Sequence, residues 1–166
     1  MKKWGRIAGK VRDVLVYKAL GDSVINRGGA GEVNLIDVGS VGMLPLPWRR
    51  HPRSIRSLLR FEPREADSQD GPVTRLGCAL WSAEGRREFR IYGGGGGDGS
   101  SFLRQNIEYV QANWSWLSTR GPERLARTIL ERMQLERVEM VECRTLDGVL
   151  EDQATRFGFL KIDAQG

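Results

Sequence analysis

A chain of 166 residues with 40% hydrophobic content is long enough to bury one core and fits the size of a single domain. Its 26 Lys+Arg against 21 Asp+Glu give a formal charge of +5, mixed in sign along the chain, which is weak support for a dedicated polyanion binder. The apolar runs fall well short of the roughly 18 residues that span a bilayer, and Met1-Lys2-Lys3 leads into an amphipathic segment, not a signal core. A soluble, cytoplasmic protein without a membrane partner is therefore expected. Cys78 and Cys143 lie far apart without CxxC spacing, and the chain holds 1 His, so neither a disulfide framework nor a zinc site is indicated. Both cysteines read as small buried fillers.

Residues 7 to 20 place Ile7, Val11, Val14, Leu15 and Ala19 at helical intervals, which predicts an amphipathic helix. Residues 21 to 32, rich in Gly and Asn, break that period and connect it to the domain proper. The nearly continuous apolar run Val33 to Val38 then predicts a buried parallel strand, and the runs Ile55 to Phe61 and Val73 to Trp81 repeat the theme with room for crossovers. Glu88 to Tyr92 alternates with period 2 and predicts an edge strand; Gly93 to Gly97 predicts a loop. Ser100-Ser101 suits a cap for a helix over 102 to 112, and Gly121-Pro122-Glu123 opens a second helix carrying Leu125, Ile129, Leu130 and Met133. Val138 to Cys143 predicts a strand, Asp147 a cap for a brief helix, and Phe157 to Asp163 a last buried strand. The order of elements implies an α/β sandwich, with residues 1–32 as N-terminal helix and connector and 33–166 as one domain.

The segment with most chemical content is Asp37-Val38-Gly39-Ser40-Val41-Gly42, where a predicted strand ends, together with Glu62 at the end of the next strand. Glycines at such a turn let the backbone approach a ligand, and a carboxylate at the neighbouring strand end can accept hydrogen bonds from both hydroxyls of a ribose. A pyrophosphate-binding turn would carry glycine in place of Asp37, because an acidic side chain repels phosphate. S-adenosylmethionine carries an ammonium and a sulfonium and no phosphate, so the sign of Asp37 favours a methyl donor over a dinucleotide. Alternatively, Asp37 caps a turn.

Several segments in order resemble the FkbM family of methyltransferases: Leu35-Ile36-Asp37-Val38-Gly39-Ser40-Val41-Gly42, Arg60-Phe61-Glu62-Pro63, Gly77 to Gly85 (GCALWSAEG), Gly99-Ser100-Ser101-Phe102, Thr145-Leu146-Asp147, and Leu160-Lys161-Ile162-Asp163-Ala164-Gln165-Gly166. The resemblance covers roughly residues 33 to 166. It implies a class I methyltransferase, Rossmann-like fold, with a mostly parallel sheet flanked by helices. The implied activity is methyl transfer from S-adenosyl-L-methionine to a hydroxyl of a sugar or natural product. Asp37, Gly39 and Gly42 would surround the methionine portion of the cofactor and Glu62 its ribose. Asp163 matches a family position near the reaction centre, with a role open between orienting the acceptor hydroxyl, taking its proton and holding a loop.

Two departures from the family pattern shape the expectations. Pro45 and Pro47 stand where a helix would start at once, so an extended turn should precede any helix in the first crossover. The family pattern also continues beyond the position of Gly166 with strands that complete the sheet. The domain is accordingly expected to be partial, with an unpaired sheet edge open to self-association. The alternative function is a catalytically inactive truncated fragment or a partner-completed binding module. A third reading uses Arg49, Arg50, His51, Arg53, Arg56 and Arg60 with Trp48, Trp81, Trp114 and Trp116 to bind nucleic acid; no recognised motif organises them, and none is expected.

Overall fold

The computed structural model describes residues 33–39, 42, 44, 48–50, 52–93, 99–119, 128 and 130–164. The helix expected over 7–20, the connector 21–32, the glycine run after Gly93 and most of the helix expected from Gly121 lie outside the described residues. The chain is α/β, with two mixed sheets and few helices among the described residues. It forms two compact units: one takes in the described residues up to Gly77 with Leu150–Ile162, the other Cys78–Val149 with the residues after Ile162.

The first unit holds a five-stranded sheet. Its strands are β1 (Val33–Val38), β2 (Ile55–Phe61), β3 (Ser68–Asp70), β4 (Val73–Leu76) and β8 (Phe159–Ile162), in the order β3-β4-β2-β1-β8. Strands β4, β2, β1 and β8 run parallel, and β3 is the antiparallel edge. The predicted strands 33–38 and 55–61 are found with the expected limits. Their unbroken apolar runs are explained by position, since consecutive residues of β1 and β2 are buried and both faces are shielded from solvent. Phe61, Leu35 and Leu59 are each 1% exposed. Val33, Leu35, Ile55 and Leu58 form a cluster on one face, with Leu44, Trp48 and Val73 packed against it, and Trp48 meets Phe159 edge to face at 5.5 Å.

Between β1 and β2 the described residues form two single 3₁₀ turns, Trp48–Arg50 and Pro52–Ser54, and no α-helix. A proline cannot donate a backbone hydrogen bond and restricts the residue before it, which suits short turns at this point. Of the arginine cluster, Arg49, Arg53 and Arg56 are exposed, but Arg60 is 6% exposed and turned into the unit. It is therefore not part of a basic surface.

The strand expected over Phe157–Asp163 begins at Phe159, and it is not buried: Phe159, Leu160 and Ile162 are 38%, 50% and 65% exposed. Apolar content alone suggested a central strand, whereas β8 pairs with β1 on one side and has no strand on its other side among the described residues. The run Val73 to Trp81 likewise divides. It stops at Leu76, bends through Gly77 and Cys78, and resumes as β5 (Ala79–Leu80) in the other sheet.

The second unit holds β5, β6 (Gly85–Tyr92) and β7 (Leu135–Arg144) in the order β5-β7-β6, with β6 antiparallel to β7 over the whole length of β6. Both strands extend beyond the residues that suggested them: the first half of each, GRRE in β6 and LERVE in β7, is largely solvent-exposed and carries Arg and Glu side chains. Phe89, Ile91, Val141 and Cys143 share the inner face with Ala79, and Trp81 and Phe102 close over it. Cys78 and Cys143 are both buried, and neither is in a disulfide.

Three short helices lie wholly within the described residues, α1 (Ile107–Ala112), α2 (Trp114–Leu117) and α3 (Leu146–Glu151), and residues 128 and 130–132 are helical as well. Helix α1 starts later than the sequence suggested because Ser101 bridges Arg90 and Phe102 packs against Trp81 and Phe89. Asn106 is the cap, its side chain accepting from the Tyr109 amide at 2.9 Å. At α3 the cap is Thr145, whose Oγ1 accepts from Gly148 N at 3.1 Å; Asp147 lies in the first turn instead. No helix among the described residues is long and apolar enough to cross a membrane.

Candidate functional site

Parallel pairing brings the carboxyl ends of β1 and β2 side by side, and the sequence-predicted residues Asp37, Gly39, Gly42 and Glu62 gather there. Val38 is opposite Phe61 in register, and the Gly39 amide extends the ladder by donating to Phe61 O at 3.1 Å. The chain then turns through two left-handed positions, Gly39 at φ 71° and Gly42 at φ 76°. A side chain at either would be strained whatever space surrounds it.

Asp37 is fully buried, and its surroundings follow from strand register. It is opposite Arg60 of β2 and Lys161 of β8, so the three side chains form one row across β2-β1-β8. The neighbouring row on the same face is Leu58, Leu35 and Phe159, which closes the row from the apolar side. The Lys161 ammonium lies 2.9 Å from Asp37 Oδ1, and the Arg60 guanidinium 4.0 Å from Oδ2. Neither carboxylate oxygen accepts a hydrogen bond of good geometry, despite the short Lys161 distance, so charge holds the row. Lys161 also donates to Val38 O at 3.4 Å, and Arg60 donates to Gly42 O at 2.8 Å. The arginine thus ties the glycine turn to β2.

Sequence reasoning singled out Asp37 and missed Arg60 and Lys161. The signal was present: each of the three strands carries its one ionisable buried-row residue at the penultimate position, inside an otherwise apolar ending. What the sequence does not carry is the register that brings the three positions together. Asp37 lies between two cations and is 0% exposed, so its charge is balanced within the fold.

Glu62 follows β2 directly and is 5% exposed. Its Oε1 accepts from the Arg64 backbone amide at 3.2 Å and from the Arg64 side chain at 3.0 Å. These two bonds from one residue fix the orientation of the carboxylate through its Oε1. Asp163 follows β8 and is exposed. No group of three or more metal-ligating side chains is found among the described residues.

A groove of about 510 Å³ lies in the second unit, lined by Trp81, Arg86, Arg87, Glu88, Phe102, Leu103 and Met140. It contains none of the sequence-predicted site residues. Comparison with protein-family models, with curated proteins and with solved structures finds no match to this chain.

Proposed function

We propose that the chain is a class I, Rossmann-like methyltransferase unit that binds S-adenosyl-L-methionine at the carboxyl ends of β1 and β2 and passes its methyl group to a hydroxyl oxygen of a sugar or natural product. The observation that carries this reading is Glu62: a buried carboxylate at the end of the strand beside a glycine turn, held in orientation through Oε1. A ribose diol supplies two donors that a carboxylate so placed can accept. Parallel neighbours in the order β4-β2-β1-β8 support the same fold reading, since ligands of open α/β sheets bind outside the carboxyl ends of the strands.

Bound at this position, the cofactor supplies an electrophilic methyl carbon on a cationic sulfur. The protein's part is then to orient and to exclude. Gly39 and Gly42 keep side chains away from the strand ends, and Arg60 fixes the turn through Gly42 O. Asp163 would be the residue that receives or orients the proton of an acceptor hydroxyl. The test is incubation with donor deuterated in the methyl group and a panel of sugars and polyols, read by mass spectrometry. Transfer that Asp163→Asn slows and Glu62→Gln weakens at limiting cofactor is the expected result. No transfer to any acceptor, with no donor binding, would remove the reading.

A second reading rests on the outer edge of β8, which pairs with no strand among the described residues and where Leu160 and Ile162 are exposed. In that reading the unit binds cofactor but turns over only when a further strand covers β8, and the same assay separates the two: donor binding without transfer favours it.

A further inference from the structure

The groove of the second unit lies along an edge of β6 that no strand covers among the described residues. Strand β6 pairs with β7 on one side, and on the other Arg90 N donates to Ser101 O at 2.8 Å while Ser101 N donates to Arg90 O at 3.0 Å. The backbone groups of Arg90 therefore point away from β7. Backbone direction alternates with period 2 along a strand, and the register of β6 is unbroken from Gly85 to Ile91, so the amides and carbonyls of Glu88 and Arg86 point the same way.

Nothing among the described residues pairs with those groups. The segment that caps Arg90 leaves the edge one residue later: Leu103 N turns back to Ser101 Oγ at 3.0 Å, and the Arg90 side chain donates to Phe102 O at 2.7 Å. The Tyr92 hydroxyl accepts from Gln105 N at 3.0 Å and holds the segment in that course. The groove begins where the segment departs. Its walls are apolar on both sides of the edge: Trp81 and Phe102, edge to face at 4.9 Å, on the inner face of the sheet, Met140 on the outer face, with Leu103 at its end. Leu103 and Met140 are 58% and 50% exposed.

The charge at this edge is positive. Strand β6 carries Arg86, Arg87 and Arg90 against Glu88, and Glu88 is paired with Arg90 at 3.2 Å. The Arg87 guanidinium lies over the Trp81 ring, 5.0 Å from its centroid, with no carboxylate at ion-pair distance among the described residues. Arg86 lies across the sheet and donates to Met140 O at 3.1 Å, opposite Glu142 in register but without an ion pair to it.

We propose that this edge is a docking site for an extended acidic peptide of a partner protein, which adds as an antiparallel strand to β6 where Ser101 leaves off. The peptide hydrogen-bonds to the backbone of Glu88 and Arg86, places alternate apolar side chains against Trp81 and Phe102 on the inner face, and turns its intervening carboxylates to the outer face, toward Arg86. Backbone pairing gives affinity and the side-chain pockets give selectivity, as in other strand-addition complexes. A small anion alone uses the arginine and leaves the backbone groups unpaired, and a second copy of this chain would bring the same arginines against each other.

The test uses the full chain and a fluorescein-labelled, end-blocked peptide of alternating aspartate and valine, about eight residues long to match β6, read by fluorescence anisotropy. Saturable binding that weakens with salt is expected. Replacing aspartate by lysine, or methylating the peptide nitrogens that face β6, should each lower affinity by at least about tenfold. Glu88→Pro should do the same, because it removes an outward amide and leaves the β6–β7 ladder complete. The N-methylated peptide keeps the argument testable even where Glu88→Pro fails to fold. Equal binding of the methylated and parent peptides, full displacement by phenyl phosphate, self-association of the chain that competes with the peptide, or no binding at about 1 mM would each overturn the proposal.

Discussion

Asp37 gives the most direct check on the way charge is organised in this fold. At an effective dielectric of about 20, one unit charge at 2.9 Å is attracted by about 6 kcal/mol and one at 4.0 Å by about 4 kcal/mol, before the opposing cost of dehydration. Removing one member of a buried pair costs about 3–5 kcal/mol, because the remaining charge stays out of water. The row has one anion between two cations, so the three members are not equivalent. Asp37→Asn removes the charge that separates Arg60 from Lys161 and should destabilise the protein by about 3–5 kcal/mol. Lys161→Met leaves the Asp37–Arg60 pair in place, and its side chain is 22% exposed, so the loss should be nearer 1 kcal/mol after screening by solvent. The double variant should recover part of the Asp37→Asn loss by removing the repulsion between the two cations. Urea unfolding followed by circular dichroism measures this. At a slope of about 2 kcal/mol/M, Asp37→Asn should lower the midpoint by about 2 M. A loss below about 1 kcal/mol for Asp37→Asn, or a larger one for Lys161→Met, would refute the idea that charge in this row is what secures the strand ends.

Other outcomes follow from the same geometry. Gly42→Ala, at φ 76°, should cost about 1–2 kcal/mol and weaken cofactor binding through the turn, as read by calorimetry; an unchanged melt would place the turn outside the left-handed region. Thr145→Ala should cost about 1 kcal/mol by removing the cap on Gly148 N, with Thr145→Ser retaining most of it. Burial pushes the Cys143 thiol above its ordinary value, while Arg87 pulls the other way. The unfolded thiol therefore ionises first as pH rises, so the stability contributed by keeping it neutral is present below about pH 8.5 and is lost above it. Melts between neutral and alkaline pH should fall less steeply for Cys143→Ala than for the native chain, and identical slopes would contradict this.

How much of this was readable in advance depends on whether a feature is local. The limits of β1 and β2 were legible because both strands are buried on both faces, and a buried strand writes itself as an unbroken apolar run. The same rule misled at β8, where Phe159, Leu160 and Ile162 are as apolar as a core strand yet exposed, since apolar content does not say whether a neighbour is present. The break after Leu76 was hidden because one apolar run serves two sheets. The gathering of Gly39, Gly42 and Glu62 at adjacent strand ends was foreseeable from spacing. The neutralisation of Asp37 was not, because it depends on the register of three strands distant in sequence. Likewise, the outward amides of Arg86 and Glu88 follow only from the bridge between Arg90 and Ser101.

The central claim is that a buried Glu62 beside the glycine turn receives the ribose of a methyl donor. Calorimetric titration of the full chain with S-adenosylhomocysteine, in parallel with NAD and with Glu62→Gln as control, tests it most directly. Glu62 is the better control than Asp37, whose replacement disturbs the fold as well as the site. Micromolar binding of S-adenosylhomocysteine, about tenfold weaker in Glu62→Gln and absent for NAD, is the predicted result. A folded chain that binds neither ligand, or binds both equally with Glu62 replaced, would contradict it.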